Sequence, residues 1–123
     1  MRGRILMALA CAGALAAYPA FGDQAWKGAG TSTCTEFVAD FKLDPNTFEN
    51  VYYQWALGFM SGLNTARATQ VRPIVDLNAK DRGPQWQMRY LKQFCDRNPL
   101  NRYAEAVGDL YRMLPLVWNP TPK

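Results

Sequence analysis

The chain contains no histidine. That absence removes the Ser–His and Cys–His nucleophile pairs and the usual zinc sites, and with them much of enzyme chemistry. Cysteine is scarce, three in 123 residues, and no two form a C-x-x-C pair, so a catalytic dithiol is not expected. No stretch shows the two-residue alternation of a half-buried strand, and no apolar run reaches the ~20 residues a bilayer span needs. A phosphate loop is missing as well: Gly28-Ala-Gly-Thr-Ser32 lacks the G-x-x-x-x-G-K-S/T pattern and has no strand before it. Excess charge is small. The formal +4 falls to +2 once Arg2 and Arg4 are set aside, leaving twelve basic against ten acidic side chains. The basic residues are scattered rather than clustered, which argues against a nucleic-acid partner.

What is present begins with a leader. Arg2 and Arg4 precede an apolar run from Ile5 to Tyr18, Pro19 breaks it, and Ala20-Phe21-Gly22 offers small residues before Asp23. This reads as a secretory signal peptide over residues 1–22, addressed to the bacterial periplasm. Cys11 within it, in Ala8-Leu9-Ala10-Cys11, lacks the leucine three residues before it that a lipoprotein signal carries. Cys34 and Cys95 remain, and an even count in a short exported chain reads as one disulfide. Closing the loop from Cys34 to Cys95 stabilises by about 4 kcal/mol in the chain-entropy treatment.

The rest reads as a small all-α, four-helix bundle over residues 33–115, between a flexible arm at 23–32 and an extended tail at 116–123. Thr33 and Glu36 form a capping box for a first helix ending near Leu43, where Asp44-Pro45 stops it. Asn46 and Glu49 offer a second box for a central helix. Phe48, Tyr52, Trp55, Phe59 and Leu63 mark its bulky face. Gly58, Gly62 and Ala66 form a smooth row, read as the place where another helix comes close. Asn64, unfavourable in mid-helix, marks a polar contact. A third helix starts at Pro84 with Met88, Leu91 and Cys95 inward. A fourth starts at Asn98-Pro99 with Leu100, Tyr103, Ala104, Val107, Leu110, Tyr111 and Leu114 inward. Of the tail, Trp118 is the residue expected to dock.

Candidate chemistry is thin. Glu105 and Asp109 stand four apart, but Arg102 and Arg112 lie three residues away, so surface ion pairs are expected rather than acid–base work. Asp76 and Asp81 lack a third ligand for a metal. The reading is therefore a protein with no catalytic residues, no metal and no cofactor, acting through protein partners. The residues assigned to partner contact are Trp55 and Phe59 on the central helix, Arg72 and Asp76 in the 69–83 loop, and Trp86 among the aromatics outside the core stripes.

Two resemblances sharpen this. Cys34-Thr-Glu-Phe-Val-Ala39 resembles the C-x-D/E-F-L/V-A opening of the HdeA/HdeB-type periplasmic acid-stress chaperones. Cys95-Asp-Arg-Asn-Pro99 resembles the region after their second cysteine. That likeness implies a small exported helical protein with one disulfide that holds unfolded clients in acid. A second likeness, carried by Trp55-Ala-Leu-Gly-Phe-Met-Ser-Gly62, Tyr90-Leu91, Asn98-Pro99, Ala106 and Leu114-Pro115, is to Tai-type immunity proteins that block peptidoglycan amidase effectors. It implies an inhibitor of a single cell-wall hydrolase.

Overall fold

The computed structural model describes residues 26–118. The leader, its cleavage site and the chain beyond Trp118 lie outside the described residues. Within them the protein is mostly helical: α1 (Cys34–Leu43), α2 (Pro45–Thr69), α3 (Pro84–Arg97) and α4 (Tyr103–Met113). Two short strands, β1 (Ile74–Val75) and β2 (Leu116–Trp118), complete it.

The α1 start follows its sequence signal. Thr33 Oγ1 accepts the Glu36 N–H at 3.2 Å, and the Glu36 carboxylate accepts the Thr33 N–H at 2.6 Å. The next orphan amides of α1, on Cys34 and Thr35, are taken by the carbonyls of Asn101 (2.7 Å) and Pro99 (3.2 Å). This bonding explains why α4 begins at Tyr103 and not at Asn98-Pro99: residues 99–101 are held along the start of α1, with Thr33 bridging to Arg102. Leu100, expected inside, is 90% exposed as a result. The other six inward residues of the fourth helix are all buried.

The α2 cap also differs from expectation. Asp44, and not Asn46, caps it, accepting the Thr47 N–H at 3.3 Å with Pro45 at the first position. Asp44 thus ends one helix and starts the next, and Pro45 serves as a stop and a start at once. The face of α2 is rotated too. Its buried residues are Tyr52, Ala56 and Met60, while Phe48, Trp55, Phe59 and Leu63 are half-buried along one flank. Gly58 lies two residues, about 200°, from Ala56. The Gly58, Gly62, Ala66 row accordingly faces solvent, and a side-chain carbon placed on either glycine meets nothing within 4 Å. No helix packs on Gly58 or Gly62.

The core is built from α1, α2, α3 and α4 together. Cys34 and Cys95, both buried, are joined by a disulfide that ties the first residue of α1 to α3. Phe37 sits 4.8 Å from Tyr52 and 4.7 Å from Tyr103, ring centre to ring centre, in the range where aromatic pairs attract. Tyr103 donates to the Tyr52 carbonyl at 3.0 Å, and the Tyr52 hydroxyl donates to Asp40 at 2.7 Å. Burial, reinforced by the Asp40 charge, pushes the Tyr52 phenol up to about 12. Residues 28–31, expected in a flexible arm, form a 3-10 turn packed on α2 and α4. Buried Gly30 lies under the Trp55 ring, where a side chain has no room.

The strands correct the expectation of none. β1 and β2 pair antiparallel, Ile74 opposite Trp118 and Val75 opposite Leu116, with a register irregularity between them. Two and three residues are too short to display an alternating pattern, so no periodicity marked them. Asn64 holds this ribbon to α2. Its amide accepts the Val75 N–H and donates to the Val75 carbonyl, both at 3.0 Å, and its oxygen takes the Tyr111 hydroxyl at 2.7 Å. The polar contact expected of Asn64 is therefore a clamp between α2, β1 and α4.

Candidate protein-docking groove

The last turns of α2 and the outer side of α4 enclose a groove of about 430 Å³. Phe59, Leu63 and Ala66 of α2 with Gly108 and Tyr111 of α4 form its floor. Gly108 adds no bulk, and a side-chain carbon there meets nothing within 4 Å. Arg67, Arg72 and Arg112 stand around it with Gln70, and no carboxylate lines it.

Each of the walls is held by a hydrogen bond to a neighbouring residue. Arg67 Nε donates to the Pro73 carbonyl, which fixes the root of that guanidinium against the loop. Tyr111 is fixed through Asn64. Arg112 pairs with Asp109 at 2.8 Å, as the helix spacing predicts, and Asp109 also accepts the Tyr90 hydroxyl at 2.5 Å. Those contacts, the Tyr90 bond first and Arg112 after it, hold the Asp109 carboxyl below the usual carboxylate range. Arg72 is returned towards the helix by a tight C-terminal turn. Its N–H bonds to the Arg67 carbonyl at 2.9 Å, and the Val71 N–H bonds to the Ala68 carbonyl at 3.0 Å. This is a Schellman arrangement, which places its pivot residue in the left-handed region. Here the pivot is Val71, at φ 52°, where glycine is usual and a β-branched residue is strained. Strain of this kind, on the order of 1–3 kcal/mol, collects at binding clamps and switches.

The five residues assigned to partner contact do not form one patch. Phe59 and Arg72 line the groove together. Trp55 stacks on Phe59, rings 5.1 Å apart, but its indole N–H donates to the Lys27 carbonyl at 2.7 Å and its ring covers Gly30. Asp76 accepts the Asn78 N–H at 2.8 Å in a local turn, and its own N–H bonds to Pro115. Trp86 stacks on Tyr90 at 5.4 Å with the Arg82 guanidinium over its ring. Neither Asp76 nor Trp86 lines the groove. Arg67, Arg112 and Tyr111 do, and sequence reasoning passed over them: their signal was two arginines bracketing the ends of the two helices.

A larger hollow of about 590 Å³ lies at the other end, among Lys27, Thr31, Ser32, Glu36, Asp40 and Arg102. Its polar groups are engaged in holding the fold. Glu36 caps α1, Asp40 takes the Tyr52 hydroxyl, and Arg102 Nη1 donates to the Thr31 carbonyl at 2.6 Å. The α2–α4 groove, apolar below and cationic at its rim, is the better binding surface.

Among the described residues no group of three or more cysteine, aspartate or glutamate side chains is placed to hold a metal. No helix among them is long and apolar enough to cross a membrane. No family model matches the chain, and no curated protein or solved structure matches it.

Proposed function

We propose that this is an exported, periplasmic, non-catalytic protein-binding domain of the acid-activated holdase type. The observation that carries the reading is where its low-titrating carboxylates sit. Glu36 is held below the usual range by the Thr33 backbone and side chain, and Asp44 by Thr47. The first completes the α1 capping box by accepting the Thr33 N–H, and the second caps α2. Asp109, paired with Arg112 on its own helix, joins α4 to α3 by accepting the Tyr90 hydroxyl. A carboxyl whose folded pKa is depressed contributes stability that is present above its unfolded value and is lost as pH falls through the folded value. Acid therefore weakens the Glu36 arm of the α1 capping box, the Asp44 cap of α2 and the interhelical tie at Asp109. Meanwhile the side-chain charge, +2 without Arg2 and Arg4, climbs towards +12 as ten carboxylates protonate. The Cys34–Cys95 bond limits expansion. Loosened helix starts then present the half-buried aromatic surface of Phe48, Trp55 and Phe59 to unfolded clients.

A second reading, an immunity-type inhibitor of one cell-wall hydrolase, draws on the order of the folded loop. The segment after α2 is pinned by Asn64 at Val75 and by buried Gln87, which donates to the Leu77 and Arg82 carbonyls at 3.0 and 2.8 Å. A preformed surface of that kind suits a single tight partner, because little ordering cost remains on binding.

Light scattering of an aggregating client decides between them. The holdase reading expects suppression at about pH 2–3 and little at pH 7, in the range where reference carboxylates protonate. A protein that stays folded in acid, or unfolds without protecting any client, contradicts it and leaves the inhibitor reading.

A further inference from the structure

We propose that the α2–α4 groove is a neutral-pH docking site for a partner-protein segment that carries acidic residues beside an apolar stripe. The inference goes beyond the holdase reading, because the groove belongs to the folded protein and not to its acid-loosened form.

The occupant follows from charge and shape. Three guanidiniums line the groove and no carboxylate does; the Asp109 carboxylate that pairs with Arg112 is shared with Tyr90. A carboxylate entering the groove gains charge-assisted hydrogen bonds, and the planar guanidinium fork favours carboxylate geometry. The floor of Phe59, Leu63 and Gly108 offers apolar surface with few hydrogen-bonding groups, which asks for aliphatic or aromatic anchors and not for a small polar metabolite. At about 430 Å³ the groove falls within the ~300–1,000 Å³ of ligand-holding clefts, enough for side-chain anchors rather than a whole domain. Anchors on one side of an amphipathic segment, with charge at their edges, are the usual pattern for segments that lie in grooves.

Other occupants fit less well. A second copy docked groove to groove brings both sets of arginines together, a like-charge arrangement that opposes association. Three arginines over an apolar floor do not make the extended basic track that a nucleic-acid backbone requires. The walls are prepared for a partner before it arrives. Arg67 is anchored on Pro73, Tyr111 on Asn64, and the strained Val71 turn keeps Arg72 beside the helix end. Such anchoring lowers the ordering cost of binding.

The test is selection of random linear peptides on the folded, disulfide-intact protein at pH 7. The expected sequences are acidic with apolar residues at helical spacing, and a synthetic copy shifts the amide resonances of Phe59, Leu63, Gly108 and Arg112. Two variants probe the same complex. Gly108→Leu fills the groove at a position with open space, and Arg72→Glu reverses an exposed charge. Each should weaken the selected peptide by roughly tenfold or more while the thermal midpoint holds. The proposal is overturned if no sequence is enriched, if the enriched sequences are neutral or basic, or if they bind both variants as tightly as the parent. Aggregation suppression in acid is independent of each of these outcomes.

Discussion

The two ends of α2 are built on opposite terms. At its first half the structure is closed: α1, the 3-10 turn and α4 converge on Tyr52 and Tyr103, and the disulfide lies in the same core. At its second half the helix carries an uncovered row of small residues and an arginine-rimmed groove. Glycine shows the contrast most plainly. Gly30 is required because the Trp55 ring occupies the place of a side chain, with ring carbons as near as 2.0 Å. Gly58 and Gly62 meet nothing. One end spends its small residues on close packing, and the other leaves them open to solvent.

The largest effect expected from breaking this contrast is loss of the disulfide. Replacing Cys34 or Cys95 with alanine should cost about 2–5 kcal/mol, read from denaturant midpoints. A smaller loss should follow Gly30→Ala. The new methyl has to displace an indole fixed by its bond to Lys27 and its stack on Phe59, and overpacking of this kind costs roughly 1–3 kcal/mol. Smallest, and opposite in sign, are Gly58→Ala and Gly62→Ala. Each should raise stability by about 0.5–1 kcal/mol, since alanine is the better helix former and the space is free. A loss at either glycine in thermal or denaturant unfolding contradicts the open-row description.

How much of this was legible depended on whether a signal was local. The Thr33–Glu36 box, the Pro84 start and the inward stripes of α3 and α4 are written in residues three or four apart, and the structure carries them. Size alone misplaces the centre of the α2 face: Phe48, Trp55, Phe59 and Leu63 pack along its flank, and small Ala56 is fully buried between Tyr52 and Met60. The late start of α4 rests on bonds from Cys34 and Thr35 to residues more than sixty positions away, which no local pattern encodes. Gln87 looked like an ordinary polar residue in a helix. It is buried because two loop carbonyls and the Tyr53 hydroxyl need its amide. Phe59 and Arg72 were assigned to partner contact from aromatic exposure and loop position. Their meeting in one groove depends on the turn at Val71, a residue whose type argues against the conformation it adopts.

The account's central claim is that acid loosens the helix starts first, while the disulfide-linked core holds together. Hydrogen exchange of the oxidised protein between pH 7 and about pH 2.5, corrected for intrinsic rates, tests it residue by residue across the carboxylate range. Glu36 and Asp44 titrate below the usual range because they hold folded-state bonds, so those bonds persist as pH falls to their folded values and are lost beneath them. The predicted result is early loss of protection at the amides of Thr33 and Thr47, which the two carboxylates accept, with Leu91, Val107 and Leu110 still protected. Protection at the two helix starts that is unchanged at pH 2.5, or loss at all these amides in a single step, would contradict it.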